Sequence, residues 1–105
     1  MNLGTPATVH STTVRTAKPV PPWKTEPVTL VGDAIHTMVP AGIGAAVALR
    51  DAALLCRRIT DRTSPLLDSV HAYETTMLDY GFAAVARSST AAAEYTRLLA
   101  WAGTR

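Results

Sequence analysis

Two short groups of residues have types and spacing suited to chemistry: Gly32-Asp33, which closes a short apolar run, and Pro40-Ala41-Gly42-Ile43-Gly44, which leads into a strongly helical stretch. A carboxylate at the end of an apolar run can accept hydrogen bonds from hydroxyls such as those of a ribose or ribityl chain. Glycines allow a ligand to approach the backbone closely. The amino end of the following helix presents N–H groups without intrahelical partners and a partial positive charge, which suits an anionic or partly anionic group. The unit therefore reads as a cradle for a ligand carrying both features. A tight turn that needs glycine has the same spacing, and spacing alone leaves both readings open. No catalytic residue is expected. His10, His36 and His71 do not fall at metal-ligand spacing, Cys56 has no nearby partner, and no Ser-His-Asp or Cys-His set can be assembled. His36 is expected to serve the turn, His71 to lie on an exposed helix face, and Cys56 to be a small buried hydrophobe. Arg50 and Asp51 are adjacent on a helix and point in different directions, so no ion pair is expected between them.

The elements that must position these groups can be read on either side. Residues 28–31 (VTLV) form a continuous apolar, β-branched run of the kind found in a strand buried on both faces of a parallel sheet. Gly32-Asp33 is then a turn at the carboxyl end of that strand, where open α/β sheets bind ligands. After the glycine loop a helix is predicted over residues 45–59. Val47, Ala48, Ala52, Leu55 and Ile59 form its apolar stripe, and Arg57 and Arg58 complement the dipole of its last turn. A polar connection over residues 60–64 leads to Ser64 as N-cap and Pro65 as first helical residue. From there Leu66, Val70, Tyr73, Met77, Tyr80, Ala84, Ala91, Tyr95 and Leu98 recur at mostly three- and four-residue steps. They predict a core-facing stripe on one long helix, or on two helices broken near residues 87–89. Gly81 in the middle weakens it slightly. Upstream, residues 1–27 are rich in Thr, Ser and Pro. A strand is expected within residues 8–16 and an extended, polyproline II path over residues 18–24. Trp23 is expected to pack on the core, with a ligand for an SH3-type domain as the alternative use of the prolines. The chain thus divides into an extended amino-terminal segment, 1–27, and a strand–loop–helix region, 28–105.

The bulk properties narrow the class. With 105 residues, 48% hydrophobic and 17% charged, the chain is one small domain or part of a larger one, and too apolar for disorder by composition. Ten basic and eight acidic residues are spread without runs, so neither nucleic acid nor an anionic membrane is an expected partner. A single cysteine provides no disulfide framework and fits a reducing compartment. The first residues lack the pattern of a signal peptide, and the longest apolar stretch, 38–49, is too short to span a bilayer, so a cytoplasmic location is expected.

At the level of motifs, Val28-Thr29-Leu30-Val31-Gly32-Asp33-Ala34-Ile35-His36, then Pro40, Gly42, Gly44 and Ala48-Leu49-Arg50-Asp51-Ala52-Ala53-Leu54-Leu55, is similar to the GD motif of the class A flavoprotein monooxygenases, the group that contains para-hydroxybenzoate hydroxylase. The Pro-Trp before the run, Tyr73-Glu74, Met77 and residues 80–85 also resemble that group, so the likeness covers about residues 14–100. The resemblance implies an α/β, Rossmann-like FAD/NAD(P)-binding fold, of which this chain would be the C-terminal portion, mostly α-helical with one or two short strands. It implies that Asp33 hydrogen-bonds the ribityl chain of FAD, helped by Gly32. It also implies that Pro40, Gly42, Ile43, Gly44, Ala45 and Ala46 pass beside the isoalloxazine ring, with the helix aiming its amino end at the ring edge where negative charge develops on reduction. The implied reaction uses NAD(P)H to reduce FAD and O2 to supply one oxygen atom to a small organic substrate.

The chain departs from the family pattern in three ways. Ala46 falls where asparagine is usual, the loop before it is one residue short, and the GxGxxG fingerprint that holds the ADP half of FAD is absent. The expected activity is therefore that of an FAD monooxygenase piece unable to act alone, completed by a missing amino-terminal half. Two other readings stand beside it: a non-catalytic helical module that self-associates through the 66–98 stripe, and a Pro-rich ligand module.

Overall fold

The computed structural model describes residues 13–40 and 42–103. Its elements are a single helical turn α1, Asp33–His36, a helix α2, Gly44–Thr60, and a long helix α3, Leu66–Gly103. Alanine, leucine and arginine dominate α2, all strong helix formers. It ends where Asp61 turns away. Thr60 Oγ1 bonds back to the Cys56 carbonyl at 2.7 Å, and the Asp61 carboxylate accepts the backbone N–H and hydroxyl of Thr63 at 3.0 and 2.6 Å. This local turn makes the short link to α3 and, with those two bonds, holds the exposed Asp61 carboxyl below its ordinary pKa. The Pro65 carbonyl accepts the first bond of α3, from Ser69 N–H at 3.1 Å, placing the cap one residue past Ser64. α3 continues unbroken through residues 87–89. Ser88 is buried and returns its hydroxyl to the Val85 carbonyl at 2.8 Å, so the serine is satisfied within the helix.

α2 and α3 pack together as a helical hairpin, and α1 lies against α3. Ile35, Leu54, Tyr73 and Met77 form one core cluster, with Trp23 packed at its border as expected. Met38, Ala84 and Val85 form a second, with Ile43 and Val47 at its edge. The buried face of α2 is rotated from the stripe read in the sequence. Asp51 and Leu54 are its buried residues, whereas Ala52 and Ile59 are exposed. Cys56, expected inside, is also exposed. On α3 the stripe is buried at Val70, Tyr73, Met77 and Ala84 but uncovered at Leu66, Tyr95 and Leu98.

The strand expected at residues 28–31 is not formed. Among the described residues there is no strand, only an isolated bridge between Glu26 and Val28. Val28 is 73% exposed, and Leu30 and Val31 are exposed as well. A strand buried on both faces needs neighbours on both edges to pair its backbone groups, and none of the described segments supplies one. Instead the segment lies extended along α3, held by side chains. Tyr73 OH donates to the Leu30 carbonyl at 2.7 Å, and Thr29 Oγ1 donates to Glu74 Oε2 at 2.8 Å. The other expected strand falls partly outside the described residues, and residues 13–16 form none. The radius of gyration is 18.4 Å, with extents of 60 × 36 × 20 Å; a compact domain of this length has about 13 Å. Among the described residues no helix is long and apolar enough to cross a membrane, and no group of His, Cys, Asp and Glu could hold a metal.

Candidate functional site

The Gly32-Asp33 turn and the loop after it enclose a cleft of about 460 Å³, lined by Asp33, Met38, Val39, Pro40, Gly42, Gly44, Ala45 and Ala48. Each wall follows from local chain geometry. Gly32 has φ +60°, a conformation open to glycine, and a Cβ there would stand 3.3 Å from the Ala48 methyl. The turn therefore approaches α2 closely because one partner is glycine and the other alanine. Asp33 follows as the first residue of α1 and is exposed, with its carboxylate available to the cleft. Gly42, at φ +83° with nothing near its missing Cβ, bends the loop so that α2 starts at the cleft wall.

The amino end of α2 is chemically open. Its N-cap is Ile43, no side chain caps it, and its first turn holds no acidic residue. The first N–H groups of a helix need partners; here Gly44 and Ala45 bring theirs to the cleft. A carboxylate acceptor on one wall and uncapped helical N–H groups on another suit a ligand with both hydroxyls and an electron-rich or anionic edge. Of the residues predicted from the sequence, the structure brings Asp33, Pro40, Gly42, Gly44 and Ala45 to one cleft. Gly32 is buried behind the turn, Ile43 faces the core beside Met38, and Ala46 is exposed and does not line the cleft. Met38 and Val39 line it without having been singled out, and so does Ala48, which was read as part of the helix stripe.

Behind the cleft lies a polar interior that sequence reasoning missed. The Asp51 carboxylate is wholly buried, and Oδ2 accepts the Gly32 N–H at 2.8 Å and meets His36 Nε2 at 2.5 Å. Its Oδ1 accepts the Tyr80 hydroxyl at 2.5 Å. The ring of Tyr80 carries the Arg50 guanidinium 3.9 Å from its centre, so Arg50 stacks on the tyrosine instead of pairing with Asp51. Burial, then the hydrogen bond and charge of Asp51, push the Tyr80 phenol well above its ordinary pKa, against the opposing Arg50. Tyr73 is raised likewise by burial and by the charges of Asp51 and Glu74. A second carboxylate, Glu74, is 4% exposed and accepts Trp23 Nε1 at 2.9 Å, Thr25 Oγ1 at 2.9 Å and Thr29 Oγ1 at 2.8 Å. It fixes the extended segment leading to Gly32. His71 is exposed as expected, with Nδ1 3.1 Å from Thr25 Oγ1. A signal for both carboxylates was present: each is an acidic residue at a position where the helical period turns inward.

The turn, the glycine loop and the open helix end thus converge on one cleft whose chemistry suits a cofactor. Residues 5–88 match the family model described as FAD binding domain, which is most of the chain. The chain belongs to this FAD-binding family, which supports FAD as the cofactor and implies a Rossmann-like fold, the described residues being mostly helical. No curated protein matches the chain.

Proposed function

We propose that the chain is the C-terminal, flavin-contacting portion of a class A, para-hydroxybenzoate hydroxylase-like monooxygenase, acting with NAD(P)H and O2 on a small organic substrate. The observation that carries this is the convergence of Asp33, the Pro40–Gly44 loop and the uncapped start of α2 on one cleft. Asp33 would accept ribityl hydroxyls, and the Gly44 and Ala45 N–H groups would face the ring edge. Gly32 and the Ala48 methyl keep the turn close enough to α2 for both contacts to be made at once. When bound, FAD supplies the redox chemistry; these residues bind and orient it and place a fixed dipole where negative charge develops. The exposed apolar run at residues 28–31 and the elongated shape favour completion by a further segment carrying the ADP-binding half of the site.

The test is titration of the purified chain with FAD, following flavin fluorescence and far-UV circular dichroism together. Weak binding that gains structure and falls about tenfold or more on Asp33→Ala, the worth of one hydrogen bond to a charged group, is expected. Tight stoichiometric FAD on the isolated chain would sink the half-site reading, and titration unaffected by Asp33→Ala would remove Asp33 from the site.

A further inference from the structure

α1 is one turn long and carries no side-chain cap; the Ile35 and His36 N–H groups return to the Gly32 carbonyl, each at 3.1 Å. Such a turn does not hold its shape by helical propensity. Both of its ends are nevertheless tied to one atom outside it. Oδ2 of Asp51, in α2, accepts the N–H of Gly32, which precedes the turn, and binds the ring of His36, which ends it. Oδ1 of the same carboxylate is tied to Tyr80 in α3. His36 reaches this position because Gly81 has no side chain: a Cβ there would stand 2.7 Å from His36 Cδ2. Asp33 lies inside the bracketed turn and faces the cleft.

We propose that Asp51, acting through His36 and Gly32 and braced by Tyr80, is the positioning residue that presents Asp33 to the cofactor, although it touches no part of the cleft itself. The presentation of Asp33 to a cofactor rests on the FAD reading; the bracket does not. A carboxylate offers only acceptors, so the His36 ring carries its proton on Nε2. His36 Nδ1 is buried with no partner among the described residues, so it is the position that would be left with an unpaired N–H by the other tautomer. The hydrogen-bond inventory also makes a distinctive prediction for substitution. In Asp51→Asn the amide oxygen can take over both Oδ2 bonds, while the amide NH2 donates to Tyr80, whose hydroxyl turns from donor to acceptor. Asparagine therefore preserves the turn, and alanine, which offers no acceptor, releases it.

The experiment uses the full chain labelled with 15N, comparing wild type, Asp51→Asn and Asp51→Ala. Expected are an Nε2–H pattern for His36 in the wild type and Gly32 amide exchange about tenfold or more faster in Asp51→Ala. Asp51→Asn should stay within about threefold of wild type, which a general requirement for a charge would not produce. An Nδ1–H pattern in the wild type overturns the proposal even if Asp51→Ala fails to fold. Loss of Gly32 protection in a folded Asp51→Asn protein, or unchanged Gly32 and Asp33 amides in a folded Asp51→Ala protein, overturns it as well. Adding FAD to the same samples separates the two readings. Shifts at Asp33, Gly42 and Gly44 that persist in Asp51→Asn and vanish in Asp51→Ala support the link to the cofactor. No shifts in the wild type, with the His36 and Gly32 signatures intact, refute the FAD cleft while leaving the bracket standing.

Discussion

Replacing Gly81 by alanine sets two well-separated effects against each other. Helical propensity favours the change by about 1 kcal/mol, because glycine is costly inside a helix. The structure opposes it: the new methyl would stand 2.7 Å from His36 Cδ2 and 3.3 Å from Cγ. Ordinary carbon contacts are about 3.5–4.0 Å, so the imidazole must retreat by roughly 1 Å. It has no free direction, being 1% exposed and bound to Asp51. Overpacking costs about 1–3 kcal/mol, and weakening a hydrogen bond to a charged group about 1.5–3. One movement relieves the clash and breaks the bond, so these terms do not add fully. The net expectation is destabilisation by about 2–4 kcal/mol after the propensity gain. Urea unfolding followed by Trp23 fluorescence, with Trp101 replaced by phenylalanine in both chains, gives the shift in midpoint at constant slope. In a His36→Ala background the clash is gone, and Gly81→Ala should turn stabilising by about 1 kcal/mol. A stabilising Gly81→Ala in the otherwise wild-type chain would refute the packing of His36 against α3.

Glu74 accepts three donors in near-complete burial, so Glu74→Leu, which strands the Trp23 indole N–H and two threonine hydroxyls, should cost about 3 kcal/mol or more. Glu74→Gln should cost about 1, since its amide can exchange roles with the Thr25 hydroxyl. Equal urea midpoints for the two variants would contradict this. Tyr73 and Tyr80 both have phenol pKa values raised by burial and by neighbouring carboxylates. The folded state therefore favours the protonated phenols, and their contribution is complete below the unfolded value of about 10 and lost as pH rises through the folded values. Unfolding midpoints should be flat up to about pH 9.5 and fall above about 10, less steeply in Tyr80→Phe; a slope unchanged by that substitution would argue against the shift.

Much of the architecture was legible because it rests on local rules. The helix read over residues 45–59 is α2 to within a residue at each end, and the long period from Leu66 produced α3. The Trp23 side chain packs where an aromatic after a proline run would. The Gly32-Asp33 turn and the glycine loop fall beside one cleft because glycine geometry is local. What could not be read depends on partners distant in sequence. Residues 28–31 have the composition of a buried strand, but a strand exists only with neighbours, and the described chain offers helices instead. The stripe read for α2 was built from apolar residues only, which left Asp51 out of it and carried the predicted face on to Ala52 and Ile59. Only the arrival of Gly32, His36 and Tyr80 from three other places makes the burial of Asp51 tolerable. Cys56 erred in the other direction, an apolar type left on the surface once that face is turned correctly.

α3 is one helix in geometry but not in cooperativity. Its residues from Ser69 to Ser88 bury a continuous face, whereas farther on Tyr95 is 65% exposed and Leu98 and Leu99 are each 55% exposed. An isolated helix of about fifteen residues is marginal in water, so the last four turns or so can fray without opening either core cluster. Melting followed by helicity will therefore begin with a broad, shallow loss from roughly a quarter of the helical residues before the packed part unfolds as a unit. Helicity and Trp23 fluorescence, the latter followed in a Trp101→Phe chain, will report different midpoints, and only the second will measure the stability of the hairpin that carries the cleft.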